Sequence, residues 1–198
     1  LKSLFQGGLR FDASEEYLEF RFLVLNAAMI TGVLFTAVFI ALDWLGVNSL
    51  GWGQLLATEI NCVFTAALVF VLRGRKQLYG LVSALFVVVN YATFLSALLL
   101  VVNDELRVIW FFVEVVFIYI LLGLRAGVAM TVVTMASIIA INPFIAIPFS
   151  RNAMTTLLIG LGVTSALSYV YTKRAQSFFQ RMRQGMAELQ ELAEKDAL

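Results

Sequence analysis

The chain has 198 residues, of which 61% are hydrophobic and 14% charged, with a mean hydropathy of +0.91 and a formal net charge of +1. This composition excludes a soluble globular domain and predicts an all-α membrane protein, a six-helix transmembrane bundle whose last helix continues into a coiled-coil linker. The absence of His and the single Cys62 remove the usual haem, copper or zinc ligands and any intrachain disulfide, so no cofactor is expected.

Residues 1–21 are expected to form a cytoplasmic segment. Asp12 and Glu15 have the spacing of a capping box, which predicts a helix from Ala13 that runs into the first span. Leu4, Phe5, Leu9 and Phe11 either seat the preceding residues on the membrane surface or belong to a disordered start. Arg10, Arg21 and several acids precede the first apolar run, so no cleavable signal peptide is expected.

Six apolar runs follow, at 22–45, 54–72, 78–102, 106–124, 127–149 and 153–172, each near the length that crosses about 30 Å of hydrocarbon. Together they make residues 22–172 the membrane domain. Short links at 46–53, 73–77, 103–105, 125–126 and 150–152 make consecutive spans antiparallel neighbours. Lys2, Arg10, Arg21, Arg73, Arg75, Lys76, Arg125, Lys173, Arg174, Arg181, Arg183 and Lys195 fall on one side of this arrangement. Only Arg107 and Arg151 fall on the other, which predicts that both termini are cytoplasmic, in a multi-pass inner-membrane protein. Topology thus accounts for the basic residues, and no nucleic-acid partner is expected. Trp44, Trp52 and Trp110 lie on the outer side, where an aromatic belt sits.

Polar residues inside the runs are the candidate site. Glu59 and Glu114 fall one to two turns below the outer surface; Asn61, Asn90 and Asn26 lie in the first three spans, and Asn142-Pro143 breaks the fifth. Intramembrane carboxyls face the bundle and have partners. One reading is a pocket open to the outside or the outer leaflet for an unidentified small molecule or lipid. In it Glu59 and Glu114 bind a cation, amine or hydroxyl, Asn61, Asn90 and Asn142 converge on the same cavity as ligand-binding residues, and Tyr91, Trp110, Phe111 and Tyr119 form the walls. The other is interhelical hydrogen bonding by protonated carboxyls. A proton relay is disfavoured, because the inner half offers no further ionisable groups.

Thr156, Gly160, Thr164, Ser168 and Thr172 recur every four residues in the sixth span, a small-residue stripe suited to a dimer contact or to packing within the same bundle. No Pro or turn cluster separates this span from residues 173–198, so one helix is expected to leave the membrane. Phe179, Met182, Met186, Leu189, Ala193 and Asp196 step by three and four, the seam of a parallel homodimer. Met182, Gly185, Leu189, Leu192 and Asp196 make a second, overlapping register. The competing arrangement is an amphipathic helix on the membrane surface with Phe178 and Phe179 in the headgroups.

The run Glu191-Leu192-Ala193-Glu194-Lys195-Asp196-Ala197-Leu198 resembles the linker that leads into diguanylate cyclases of the GGDEF type, where Leu-Ala-x-x-Asp-x-Leu precedes a Thr-Gly-Leu-x-Asn-Arg start. The resemblance covers about the last eight residues and includes no catalytic motif. It implies a sensory input domain that controls a C-terminal output domain in cis, which makes cyclic di-GMP when two catalytic domains meet. A histidine kinase input domain and a small transporter or channel are the alternatives. No nucleophile and base, metal cluster or phosphate loop is legible, so no enzyme activity is expected within these residues.

Overall fold

The computed structural model describes residues 9, 11, 12, 15–101, 104 and 106–196; beyond Met186 the described side chains are those of Glu188 and Lys195. Six α-helices are present among the described residues: α1 Glu16–Trp44, α2 Trp52–Leu72, α3 Tyr79–Leu100, α4 Ile109–Leu122, α5 Leu124–Ile141 and α6 Arg151–Asp196. Five are long and apolar enough to cross a membrane, and α4, with 14 residues, is shorter. The chain is therefore a multi-pass membrane protein, with many large apolar side chains on the bundle's outer surface and comparatively few inside.

Consecutive helices run antiparallel, which puts the start of α1, the end of α4 and the exit of α6 on one face of the bundle, here called the terminal face. α1, α2 and α3 pack in sequence, α4, α5 and α6 form a mutually packed trio, and α3 against α4 joins the halves. Near the terminal face, Phe22, Leu25 and Met29 of α1 pack with Leu72, Tyr79, Phe86 and Leu121. The second core lies towards the opposite face, where Leu98 meets Phe111, Val115 and Tyr119 of α4, Ile138 of α5 and Leu161 of α6.

The fourth and fifth elements differ from the sequence expectation. The turn between them is Gly123 alone, at φ 94°, a backbone region open to Gly at little cost. Arg125, expected in a link, is in the first turn of α5. The fifth helix does not pass its Asn142-Pro143 break to Phe149: α5 ends at Ile141, and a 3₁₀ turn, Asn142–Phe144, leads into non-helical chain. Pro143 cannot donate to the ladder, and Asn142 ties the loop by accepting from the Phe149 amide at 2.8 Å and donating to its carbonyl at 3.4 Å. α4 is shorter than its 106–124 run because turn residues lead into it from 106 to 108. Its start is sheltered by buried Val101, Arg107 and Ile145, with the Arg107 guanidinium 5.4 Å from the Phe149 ring.

At the other end, Asp12 donates its amide to the Glu15 carboxylate at 3.2 Å, which is the returning half of a capping box. The regular helix begins at Glu16, and Ala13, where the helix was expected to begin, lies outside the described residues, as do Leu4 and Phe5. Trp44 and Trp52 are exposed at the opposite face, whereas Trp110 is half-buried and stacks on Phe94 at 5.9 Å.

Candidate functional site

α2 presents Gln54, Thr58, Asn61, Thr65, Leu68 and Leu72 as one buried stripe, a polar half followed by an apolar half. The polar half pairs with α3. Gln54 donates to the Thr93 carbonyl at 3.5 Å and accepts from the Ser96 hydroxyl at 2.8 Å, and Asn61 donates to Asn90 Oδ1 at 3.3 Å. Thr65 donates to Asn61 Oδ1 at 3.0 Å. Asn61 and Asn90 thus meet inside a longer polar zipper, whose Gln54, Thr93 and Ser96 lie beyond the sequence expectation. The signal for Gln54 is the spacing 54, 58, 61, 65, one polar residue per helical turn of α2.

Glu59 stands one residue off this stripe and is half-buried. It shares a side of α2 with Cys62, whose thiol lies 3.8 Å from the Val33 carbonyl of α1. Glu114 is in a different setting: it is 3% exposed, on α4, and its Oε1 has no hydrogen-bond partner among the described residues. α2 packs chiefly on α1 and α3, and α4 on α3, α5 and α6, so the two carboxylates belong to different helix contacts. Asn142, spent on the Phe149 backbone, joins neither.

Of the aromatic residues expected as walls, Tyr91, Trp110 and Phe111 come together. The Phe111 ring is edge-on to Tyr91 at 5.8 Å and to Phe94 at 6.2 Å, and Trp110 stacks on Phe94 and meets Phe39 of α1 at 6.2 Å. Tyr91 donates its hydroxyl to Ser137 Oγ at 2.9 Å, which ties α3 to α5. Trp110 and Phe111 precede Glu114 by one helical turn, so its carboxyl lies next to this cluster along α4. This local group, an acceptor with capacity left for a hydroxyl, amine or cation beside aromatic rings, is what remains of the expected pocket. Tyr119 is elsewhere: its hydroxyl lies 2.7 Å from Ser165 Oγ, which also accepts from Thr131 at 3.0 Å, joining α4, α5 and α6.

Two open grooves lie on the surface, and neither is lined by Glu59 or Glu114. One, of about 380 Å³, lies between α4 and α6. The other, of about 450 Å³, lies between the start of α1 and the outgoing part of α6, lined by residues that include Glu15, Tyr17, Gln176, Phe179 and Arg183.

α6 is a single helix of 46 residues, about 69 Å long at 1.5 Å per residue. Inside the bundle it buries Leu157, Leu161, Ser168 and Thr172. A Cβ at Gly160 would stand 3.0 Å from the Phe112 ring of α4, so this part of the small-residue stripe is used within the chain. Thr164, one turn on, is half-buried. Beyond the bundle α6 is gripped by α1. Phe179 packs on Tyr17 at 5.5 Å and on Phe20 at 5.8 Å, and Gln176 donates to the Tyr17 hydroxyl at 3.2 Å. Of the residues expected to form a dimer seam, Phe179 is thus occupied by the chain's own first helix, Met182 is half-buried and Met186 is exposed. The side chains of Leu189, Ala193 and Asp196 lie outside the described residues, as do Ala197 and Leu198 of the cyclase-like run.

Arg21 braces this grip from within α1. Its Nε donates to the Ile120 carbonyl at 3.2 Å and its Nη2 to the Leu121 carbonyl, while the guanidinium lies 5.5 Å from the Tyr17 ring and 5.0 Å from the Tyr79 ring. Tyr79 also donates its hydroxyl to the Leu121 carbonyl at 3.0 Å. The last carbonyls of α4 have no partner within their own helix, and a cation there meets the negative end of the helix dipole. In the sequence Arg21 is explained by topology alone; the signal for its second role is Gly123, which ends α4 and leaves those carbonyls to be capped. Outside the membrane, Glu15 accepts from the Lys76 ammonium and from the Asp12 amide, and these bonds, Lys76 first, hold its carboxyl below the usual carboxylate range. The start of α1 is therefore pinned to α4, to the α2–α3 turn and to α6. Comparison with family models, with curated proteins and with solved structures finds no match for this chain.

Proposed function

We propose that this chain is the membrane input module of a signalling protein: the bundle receives a stimulus and α6 carries it to an output domain beyond the membrane. The observation that carries this reading is the unbroken course of α6, from residues packed among α4 and α5 to a rod of 24 residues past Thr172, about 36 Å long. A helix continuous through both environments passes a rotation or shift from one to the other; a helix interrupted at the membrane surface does not.

The grip of α1 on α6 supplies the two states. With Phe179 against Tyr17 and Phe20, the rod is held to its own bundle. With Phe179 released, it is free to join the seam of a second copy, and two rods pair as a homodimer. A ligand shifts this balance only by its difference in affinity for the two states. In this proposal the ligand meets Glu114 and the Tyr91, Phe94, Trp110 cluster, next to the helix that Arg21 ties to α1. The output domain follows from the cyclase-like run at residues 191–198: a diguanylate cyclase in the cytoplasm, with both termini on that side of the inner membrane.

The test fuses the chain in frame, through its last residue, to the catalytic domain of a diguanylate cyclase and measures cyclic di-GMP in cells. Tyr17→Ala and Phe179→Ala are expected to change output in the same direction. Output that neither substitution alters, at equal protein levels, contradicts the reading.

A further inference from the structure

The groove between α4 and α6 is lined by Val116 and Ile120 on α4 and by Leu167, Ser168, Tyr171 and Thr172 on α6. Val116 and Ile120 lie in the last two turns of α4, at the depth where that helix reaches the terminal face. They follow Phe112, which faces α6, at four-residue steps and so flank the α4–α6 contact; Val116 is exposed and Ile120 half-buried, as Leu167 and Tyr171 across from them are exposed. The groove therefore opens to the bilayer. Its lining contains no carboxylate, and Ser168 and Thr172 of α6 are buried at its base, with the Thr172 hydroxyl shut away from the surface.

The face of α6 that forms the groove wall changes character along its length. Leu167, Tyr171, Arg174, Phe178 and Arg181 step by four and three, so they share one side of the helix, and all are exposed. Going outward this side presents an apolar residue, an aromatic with a polar tip, then Arg, Phe and Arg. That order matches a bilayer read from hydrocarbon through the ester region to the phosphates. Arg174 makes no ion pair among the described residues and sits one turn beyond Tyr171. Glu15 and Glu16 line the second groove, where Arg183 stands with them.

We propose that this groove is a binding site for one anionic phospholipid of the leaflet on the terminal side. An acyl chain lies along Val116, Ile120 and Leu167, the ester region lies beside the Tyr171 ring, and the phosphate pairs with Arg174. Arg suits this role because its planar guanidinium binds a phosphate through two parallel N–H donors. The site lies against the α6 segment just above the α1 grip, so bound lipid also fixes where the rod leaves the membrane. The proposal does not depend on the signalling reading, because lipid retention is measured on this chain alone.

The test is native mass spectrometry of the chain taken from nanodiscs of equal parts phosphatidylglycerol and phosphatidylcholine. One phosphatidylglycerol per chain is expected to stay bound. Arg174→Gln is expected to lower its retention about tenfold. Leu167→Trp, which fills the groove from an exposed position, is expected to abolish it. Both variants alter exposed residues, and an unchanged unfolding midpoint establishes that they fold. Equal retention of the two lipids, no retained lipid, or undiminished retention in Arg174→Gln overturns the proposal. A lipid-free dimer that Leu167→Trp breaks apart overturns it in favour of a contact between two copies of the chain.

Discussion

The ring of Phe179, on the outgoing part of α6, lies 5.5 Å from that of Tyr17, in the first turn of α1. The contact closes the bundle at the face where α6 leaves it, and it occupies the first position of the seam legible in the rod. Replacing Phe179 by Ala removes both aromatic contacts, a loss of about 1 kcal/mol beyond the buried area. Backbone amides of residues 176–186 are then expected to exchange with deuterated solvent several-fold faster, by mass spectrometry. An unchanged exchange rate shows that the grip contributes nothing to the rod's position.

Arg21 caps α4 through two carbonyls while lying against two tyrosine rings. Arg21→Gln is expected to lower the unfolding midpoint in detergent, with a loss of about 2 kcal/mol from charged hydrogen bonds. Arg21→Lys is expected to recover less than half of it. An ammonium is a point charge and cannot reproduce a planar fork that bonds and stacks together. Full recovery by Lys reduces the role of Arg21 to charge at a helix end.

Gly127 lies so close to Tyr119 that an added Cβ would run into the ring. Gly127→Ala is expected to push the ring away and to separate the Tyr119 hydroxyl from Ser165. Overpacking of this kind costs about 1–3 kcal/mol, read as a lower unfolding midpoint. Gly160→Ala, whose Cβ would meet the Phe112 ring at 3.0 Å, is expected to cost less. Equal costs at the two glycines contradict the close approach of α4 to α5.

The Glu15 carboxyl, held below the usual carboxylate range by Lys76 and Asp12, titrates lower in the folded chain than in the unfolded one. Its contribution is therefore complete above the ordinary carboxylate range and is lost as acid takes the pH down through the folded value. Lys76→Gln is expected to lower the unfolding midpoint at neutral pH, and the gap to the parent is expected to close in acid. A gap that stays constant with pH removes Glu15 from the anchoring of α1.

Much of the fold is legible in hydropathy. The far end of α1 and both ends of α2 and α3 fall within a few residues of the apolar runs, and the continuity of α6 follows from the lack of any Pro or turn cluster between Arg151 and Asp196. The region from Gly123 to Phe149 departs from its hydropathy for two physical reasons. Arg125 reads as a link because charge leaves the membrane there, yet an exposed Arg fits the first turn of a helix that starts at the bundle's edge. Ile145 to Phe149 reads as helix because it is apolar, but hydropathy does not distinguish a helix from an apolar loop after Pro143, and only Ile145 of this loop is buried. Within the site, Asn61 and Asn90 share a depth on antiparallel neighbours, and there depth is enough to bring them together. Glu59 and Glu114 share a depth too, but depth leaves open which face of each helix they occupy. The occupation of Phe179 by Tyr17 is not legible, because a seam pattern states what a helix can pair with and not which partner reaches it first.

In the proposed function, the phase of α6, carried unbroken out of the bundle, sets the activity of the output domain. The most direct measurement is cyclic di-GMP output from the cyclase fusion after insertions following Gln184. A seven-residue insertion returns the downstream rod nearly to its phase, whereas two residues turn it by about 200°. The seven-residue insertion is expected to keep both basal output and its change on Phe179→Ala, and the two-residue insertion to abolish or invert that change. Equal behaviour of the two insertions contradicts transmission through the phase of α6.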